Sequence, residues 1–339
     1  MAREDPSLAQ TDFTGLLEAP DLHIGAREFV RQSAATFVGQ EVCLFVTYVP
    51  GDQLLPGAIA MVAALAASGQ TVVVCCAVDD LGFSIDLAGL DGAAFIVKQK
   101  NGGYDFAVWA AILAKLPELW SAKRLFFVND SILGPLDGLD RTLERLRASN
   151  ADFLALTESF EHRHHTQSYF FVLQNKAMSS AAVRTFWRQV RVEQTKLAVI
   201  KKYELGLLNH MRDVAGLEVE VLFSYDFLFP GTDWSAIKIQ NPTHNLWEHL
   251  ISSGFPFVKA ELLFVNPLGI NIAHWPPIVA LRGGDVQMFK THLAQMRETR
   301  GSSGSGGGQE KWKFLRRMIG DKAFREILEA WSVSGKPRR

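Results

Sequence analysis

The apolar run Arg124-Leu125-Phe126-Phe127-Val128, closed by Asn129-Asp130-Ser131, restricts the fold more than any other stretch of the chain. A hydrophobic run this short, bounded by polar residues, reads as a buried strand. A carboxylate at the C-terminal lip of a central strand lies where open α/β sheets place ligand chemistry. Upstream stands Asn101-Gly102-Gly103-Tyr104-Asp105, and downstream His165-Thr166-Gln167-Ser168-Tyr169. Polar clusters at the ends of apolar strands point to one site assembled from several loops.

The flanking pattern supplies the rest of a sheet. Val42–Tyr48, Thr71–Val78 and Ala93–Val97 read as strands, the second rich in β-branched residues. Helices are expected over Gly57–Ser68, ending at Gly69, and over Phe106–Leu116. Strand–helix alternation predicts a parallel, right-handed α/β sheet. After Asn129 the rhythm changes. Helices are expected over Leu139–Ala148, Phe186–Val192, Tyr203–Val214 and His244–Ser253. Strands are expected over Phe153–Leu156, Tyr169–Leu173 and Glu218–Phe223, and Leu262–Val265 reads as a last buried turn. Residues 1–40 read as a lead-in with one helix near Ala26–Phe37, 41–275 as the main domain, and 276–339 as a C-terminal helical segment. Gly and Ser fill 301–308, a flexible linker by composition.

The chain has 339 residues, is 48% hydrophobic and carries a net charge of -1, so no global field attracts nucleic acid. Cys43, Cys75 and Cys76 fall in or beside strand-like runs and read as reduced core thiols, not a disulfide framework. The run Pro56–Ala67 is too short to span a bilayer, and Met1–Pro6 lacks an apolar signal region, so the cytoplasm is the expected compartment. From 309 to 339 there are nine Lys/Arg against four Asp/Glu, with Trp312, Phe314, Leu315, Ile319 and Trp331 among them. This basic amphipathic segment, 309–331, suits either packing on the domain or peripheral contact with an anionic membrane surface.

Each polar motif carries a structural reading beside a functional one. Asp130 could bind a metal–diphosphate unit, since Mg²⁺ or Mn²⁺ sits between carboxylates and phosphates, or it could cap the turn at Ser131. Asp105 could face a ligand beside Gly102 and Gly103 or cap the helix that follows. Glu158, Glu161, His162, His164 and His165 lack the spacing of a zinc site. They read as a solvated loop or as substrate contacts through Glu158, His165, Gln167 and Ser168. Glu204 and His244 sit on helices, and Lys259 could offset diphosphate charge or snorkel at the surface. There is no GxxxxGK[ST] loop, and Val49-Pro50-Gly51-Asp52 stands where a GxGxxG fingerprint would follow the first strand. A kinase or nicotinamide enzyme is therefore disfavoured.

These segments together resemble the rhamnan synthesis protein F family of polysaccharide-building glycosyltransferases. The resemblance runs from Val42 to Trp275. It rests on Asn101–Asp105 with Trp109, Phe127–Pro135, Leu156–Ser159, His165–Phe170, Phe186-Trp187, Tyr203–Gly206, Asn241–His244 and Pro256–Lys259. It implies a GT-A-like, Rossmann-type sheet with a mixed second half and C-terminal helices. It also implies sugar transfer, as of rhamnose, from a nucleotide-sugar donor to a growing, often lipid-linked glycan. The donor would be dTDP-rhamnose or a UDP- or GDP-sugar.

By that resemblance Asp130 is the donor or metal contact, supported by Asn129 and Ser131. Asn101, Gly103, Tyr104 and Lys259 join the donor side. His165, Gln167, Ser168, Tyr169, Glu204 and His244 are expected on the sugar or acceptor side. Glu158 is the first candidate for the catalytic base and Asp105 the second. The alternative is a non-catalytic glycan- or nucleotide-sugar-binding module of a polysaccharide assembly.

Overall fold

A computed structural model of the chain describes residues 27–32, 36–161, 163–231 and 241–302. The remainder of the Gly/Ser linker, the basic segment 309–331 and His162 lie outside the described residues. In chain order the elements begin with β1 (Arg27–Gln32), β2 (Glu41–Val49), α1 (Pro56–Ala67), β3 (Thr71–Val78), β4 (Ala93–Lys100), α2 (Tyr104–Lys115) and β5 (Arg124–Asn129). There follow β6 (Ile132–Leu133), α3 (Leu139–Ala148), β7 (Phe153–Ser159), β8 (His165–Thr166), β9 (Phe170–Gln174), α4 (Lys176–Ser179) and α5 (Ala181–Gln189). Then come α6 (Lys196–Val199), α7 (Leu205–Asn209), β10 (Val219–Phe223), α8 (Tyr225–Leu228), α9 (Pro242–Asn245) and α10 (Trp247–Ser252). The last are β11 (Val258–Lys259), α11 (Ala260–Phe264), α12 (Trp275–Leu281) and α13 (Val286–Ser302).

The main sheet has the order β1-β4-β3-β2-β5-β9-β7-β10, with β8 paired to β7. Strands β4, β3, β2 and β5 are parallel, while β9 runs antiparallel between β5 and β7. The expected parallel half and mixed second half are both present. Near-continuous apolar runs in β2, β3 and β5 fit strands buried on both faces. One face carries Val42, Leu44 and Val46 packed with α2 and α5. The other carries Cys43 and Phe45 packed with α1 and α3. The three cysteines are buried and free, as expected for core thiols.

On the first face Trp109 of α2 donates its indole N–H to the Leu44 carbonyl at 3.1 Å. Its neighbours Phe127, Phe171 and Trp187 form a stacked aromatic layer, with Phe127 4.6 Å from Phe171 and 4.9 Å from Trp187. On the second face α1 opens with Pro56 in its first turn, where a missing N–H costs nothing. A third core lies under α10–α13 and the small β6–β11 sheet. It is tied to α1 by the Gly57 N–H, which donates to His292 Nδ1 at 3.1 Å. Burial pushes that imidazole down to about 4, so it stays a neutral acceptor.

The helix expected near Ala26–Phe37 is corrected over Arg27–Gln32, which is the strand β1. It pairs antiparallel with β4, from Arg27 opposite Gln99 to Gln32 opposite Phe95. Without it the outer edge of β4 would expose a row of unpaired backbone groups, and that tertiary need overrides a locally helix-compatible sequence. The expected Tyr203–Val214 helix is longer and irregular. It starts at Lys196, and π-helical turns at Ile200–Glu204 and His210–Val214 flank α7. Among the described residues no helix is long and apolar enough to cross a membrane.

Candidate functional site

The chain leaves β2 toward β3 and β4 on one side and returns to β5 on the other. The switch point of the sheet therefore falls between β2 and β5, and open α/β sheets bind ligands in the crevice outside the strand C-termini at such a point. Asp130, just past β5, lies there. Its backbone N–H reaches the Val46 carbonyl at 3.2 Å. Its Oδ2 accepts the Thr47 hydroxyl at 2.8 Å and the Tyr48 N–H at 2.9 Å. These bonds cross the sheet, so Asp130 is held by β2 rather than spent on a local cap.

Asp105 enters from the first turn of α2. The N-cap of that helix is Gly103, with no side-chain cap bond. Asn129 Nδ2 donates to Asp105 Oδ2 at 2.6 Å instead. Gly103 has φ 76°, and a Cβ there would stand 2.6 Å from Ala107 Cβ and 3.1 Å from Val192 Cα. Tyr104 is also left-handed, at φ 59°. Strained backbone of this kind gathers at functional sites, and here it aims Asp105 at Asn129.

Asn129 is the hinge of the group. Its Oδ1 accepts both the N–H, at 3.1 Å, and the hydroxyl of Ser131. Lys259 on β11 donates to Ser131 Oγ at 2.9 Å, and its Nζ lies 4.6 Å over the Tyr169 ring. The β6–β11 pairing, with Lys259 opposite Ile132, fixes that approach. Behind the ring, the Tyr169 hydroxyl donates to Thr157. Thr157 donates to Gln167 Oε1 at 2.8 Å, and Gln167 Nε2 reaches Asn241 Oδ1 at 3.1 Å. Gln167 and Tyr169 thus support Lys259 from behind.

The electrostatics follow from this crowding. Burial, then repulsion from Asp130, raises the Asp105 carboxyl to about 6. Burial raises Asp130 as well, against the lowering effect of its Thr47 and Tyr48 bonds. Burial lowers Lys259 to about 8, helped by the Lys196 charge and opposed by Glu204, Asp105 and Asp130. Titratable groups perturbed by burial and by one another make this group the candidate functional site. Carboxylate oxygens such as those of Asp130 are the hard ligands that a divalent cation takes beside phosphate oxygens. Among the described residues no cluster of three or more His, Cys, Asp or Glu could hold a metal.

The structure therefore brings together Asn101, Asp105, Asn129, Asp130, Ser131, Lys259 and Glu204, with Gly103 and Tyr104 in the turn that leads into Asp105. It adds residues that sequence reasoning missed. Thr47 and Tyr48 hold Asp130, Lys196 contributes charge, and Asp79 accepts from both the Tyr48 hydroxyl and Asn101 Nδ2, the latter at 2.9 Å. The available signal was position, since Tyr48 and Asp79 both end strands.

Glu158 and His165 sit at the same sheet edge, on β7 and β8, two strands from β5. Glu158 Oε1 accepts the Tyr225 N–H at 2.9 Å, and its Oε2 lies 2.7 Å from His164 Nε2. His165 Nδ1 donates to the Arg163 carbonyl at 2.8 Å. Ser168 is buried between β8 and β9, and His244 is buried on α9, which packs on β7 and β11. A separate open cavity of about 610 Å³ lies along the 202–214 helix, lined by Arg163, Tyr203 and His210 among others. It includes neither crevice aspartate.

Residues 89–275, more than half of the chain, match the rhamnan synthesis protein F family. The chain belongs to that family. Among relatives of this rhamnan synthesis protein F member is the virulence protein VirA of Vibrio anguillarum. It is 29% identical over 227 residues, covering 58% of this chain and 73% of VirA. An uncharacterized protein, y4gN, of Sinorhizobium fredii is 29% identical over 134 residues, covering 38% of this chain and 35% of its own. Family membership places the chain among polysaccharide-biosynthesis proteins. The matched region contains Asn101, Asp105, Asn129, Asp130, Ser131 and Lys259.

Proposed function

We propose that the crevice between β2 and β5 is the donor site of a glycosyltransferase of polysaccharide biosynthesis. The observation that carries this reading is the Asp130–Asn129–Asp105–Lys259 group at the switch point of the sheet. Asp130 and Lys259 lie where a diphosphate would rest, with Asn129 and Ser131 holding them in register. Asp79, Asn101, Tyr48 and the exposed Tyr104 offer a carboxylate, an amide and two rings to a nucleoside. The sugar would then lie toward Asp105 and Glu204, with the glycan acceptor entering past β7 and α9, where Gln167, Ser168 and His244 lie. An Mg²⁺ or Mn²⁺ ion held by Asp130 would supply further neutralisation of the diphosphate.

The chemistry follows from those positions. The acceptor hydroxyl oxygen attacks the anomeric carbon, and the bond from that carbon to the phosphate oxygen breaks with its electron pair. The hydroxyl proton passes to a carboxylate. Asp105 suits this role better than Glu158, because its raised affinity for a proton matches general-base work near neutral pH. Both Glu158 oxygens are already engaged by Tyr225 and His164. Lys259 stabilises charge growing on the leaving diphosphate.

A screen of dTDP-rhamnose, UDP-sugars and GDP-sugars for nucleoside diphosphate release, with and without Mn²⁺, tests the reading. Turnover of one donor supports it. Binding of a nucleotide-sugar with no release in the presence of glycan acceptors would favour a non-catalytic binding module instead.

A further inference from the structure

We propose that Lys196 and Lys259 form a two-pronged clamp that holds the donor's diphosphate directly, with no divalent metal required for binding. The inference rests on the donor-site reading above and names the groups that bind the donor's most charged part. Lys259 is the fixed prong. Its Nζ is held by Ser131 Oγ at 2.9 Å and by the Tyr169 ring at 4.6 Å, and its strand is locked to β6. Three donors on a compact ammonium leave N–H groups available to an incoming oxygen.

Lys196 comes from a different element, α6. It opens α6, whose N-cap Thr195 accepts the Ala198 N–H through its hydroxyl at 3.2 Å, so the backbone under Lys196 is set. α6 packs against α2, the helix that carries Asp105, and Val192 lies against Gly103. The Lys196 side chain is exposed, and its charge acts on both Asp105 and Lys259. The like charges of Lys196 and Lys259 oppose each other. An anion with several oxygens between them converts that repulsion into two charge-assisted contacts. A diphosphate has that form, and a neutral sugar does not.

Calorimetry on the full chain in EDTA, with inorganic pyrophosphate and with UDP, GDP and dTDP as probes, tests the clamp. Wild type should bind pyrophosphate and one of the diphosphates. Lys196→Ala should weaken both by about tenfold or more, the scale of one charged contact, and Lys196→Arg should recover most of the loss. Lys196 is exposed, so the variant should melt as wild type does. Equal affinity in wild type and Lys196→Ala would overturn the clamp while leaving the donor site standing. Binding that appears only on adding Mg²⁺ or Mn²⁺ would overturn it too. Lysine-dependent pyrophosphate binding with no nucleoside diphosphate bound would keep the clamp and remove the donor reading.

Discussion

Asn129 donates from Nδ2 to Asp105 Oδ2 at 2.6 Å while its Oδ1 holds Ser131, so one amide joins the end of β5 to the first turn of α2. Both ends of the amide are committed, which fixes its orientation. Asp105 is thereby presented to the crevice beside Asp130, a neighbour of the same charge.

That placement makes a pH prediction. The carboxyl of Asp105 titrates near about 6, raised from 3.8 by burial and Asp130. If it is the base, turnover should rise as pH increases through about 6, and Asp105→Asn should remove this limb of the profile. The stability effect has the opposite sense. A raised carboxyl pKa means the native state binds the proton more tightly, so stability falls as pH rises from about 4 to about 6. Asp105→Asn should therefore melt at or above wild type at pH 7.5, with little gain at pH 4. An unaltered pH–rate profile in the variant would remove Asp105 from the chemistry.

Glu158 is expected to act on stability first. It ties the start of α8 to β7 through the Tyr225 N–H and partners His164. Glu158→Ala removes the carboxylate that the Tyr225 N–H donates to, a loss of about 1–3 kcal/mol. Glu158→Gln can still accept that N–H, so it should keep turnover within a few-fold of wild type while Asp105→Asn does not. A collapse of turnover in Glu158→Gln at unchanged melting temperature would return the base to Glu158.

Much of this arrangement is legible in the amino-acid order. Runs such as Thr71–Val78 announce strands because both of their faces are buried, and Asn129-Asp130 ends one of them. Lys259 and Asp105 stand out as charges beside turns. Thr47 and Tyr48 do not, because their role depends on β2 lying next to β5, a neighbour relation set by topology across the sheet. Lys196 is hidden for the same reason, since only the packing of α6 on α2 lets its charge act on Asp105. β1 reads as a helix because its pairing partner, the edge of β4, is invisible from within Arg27–Gln32.

Gly103 offers a test of how the site is positioned. Its backbone is left-handed, and a methyl group added there would meet Ala107 Cβ at 2.6 Å, which leaves no room for a side chain. Gly103→Ala should cost about 1–3 kcal/mol in a denaturant melt through overpacking and strain. It should also lower activity in the fraction that remains folded, because the first turn of α2 carries Asp105. Loss of stability without loss of specific activity would show that the Gly103 turn does not set the position of Asp105.

The central claim is that Asp130, held by Thr47 and Tyr48 at the switch point, meets the donor. The most direct measurement compares nucleoside diphosphate release by wild type and Asp130→Asn, at matched folded fraction, with the donor that wild type turns over. The expected result is a loss of about 10²-fold or more, the scale of a key electrostatic contact in the transition state, with a melting temperature near that of wild type. Turnover in Asp130→Asn equal to that of wild type would contradict it.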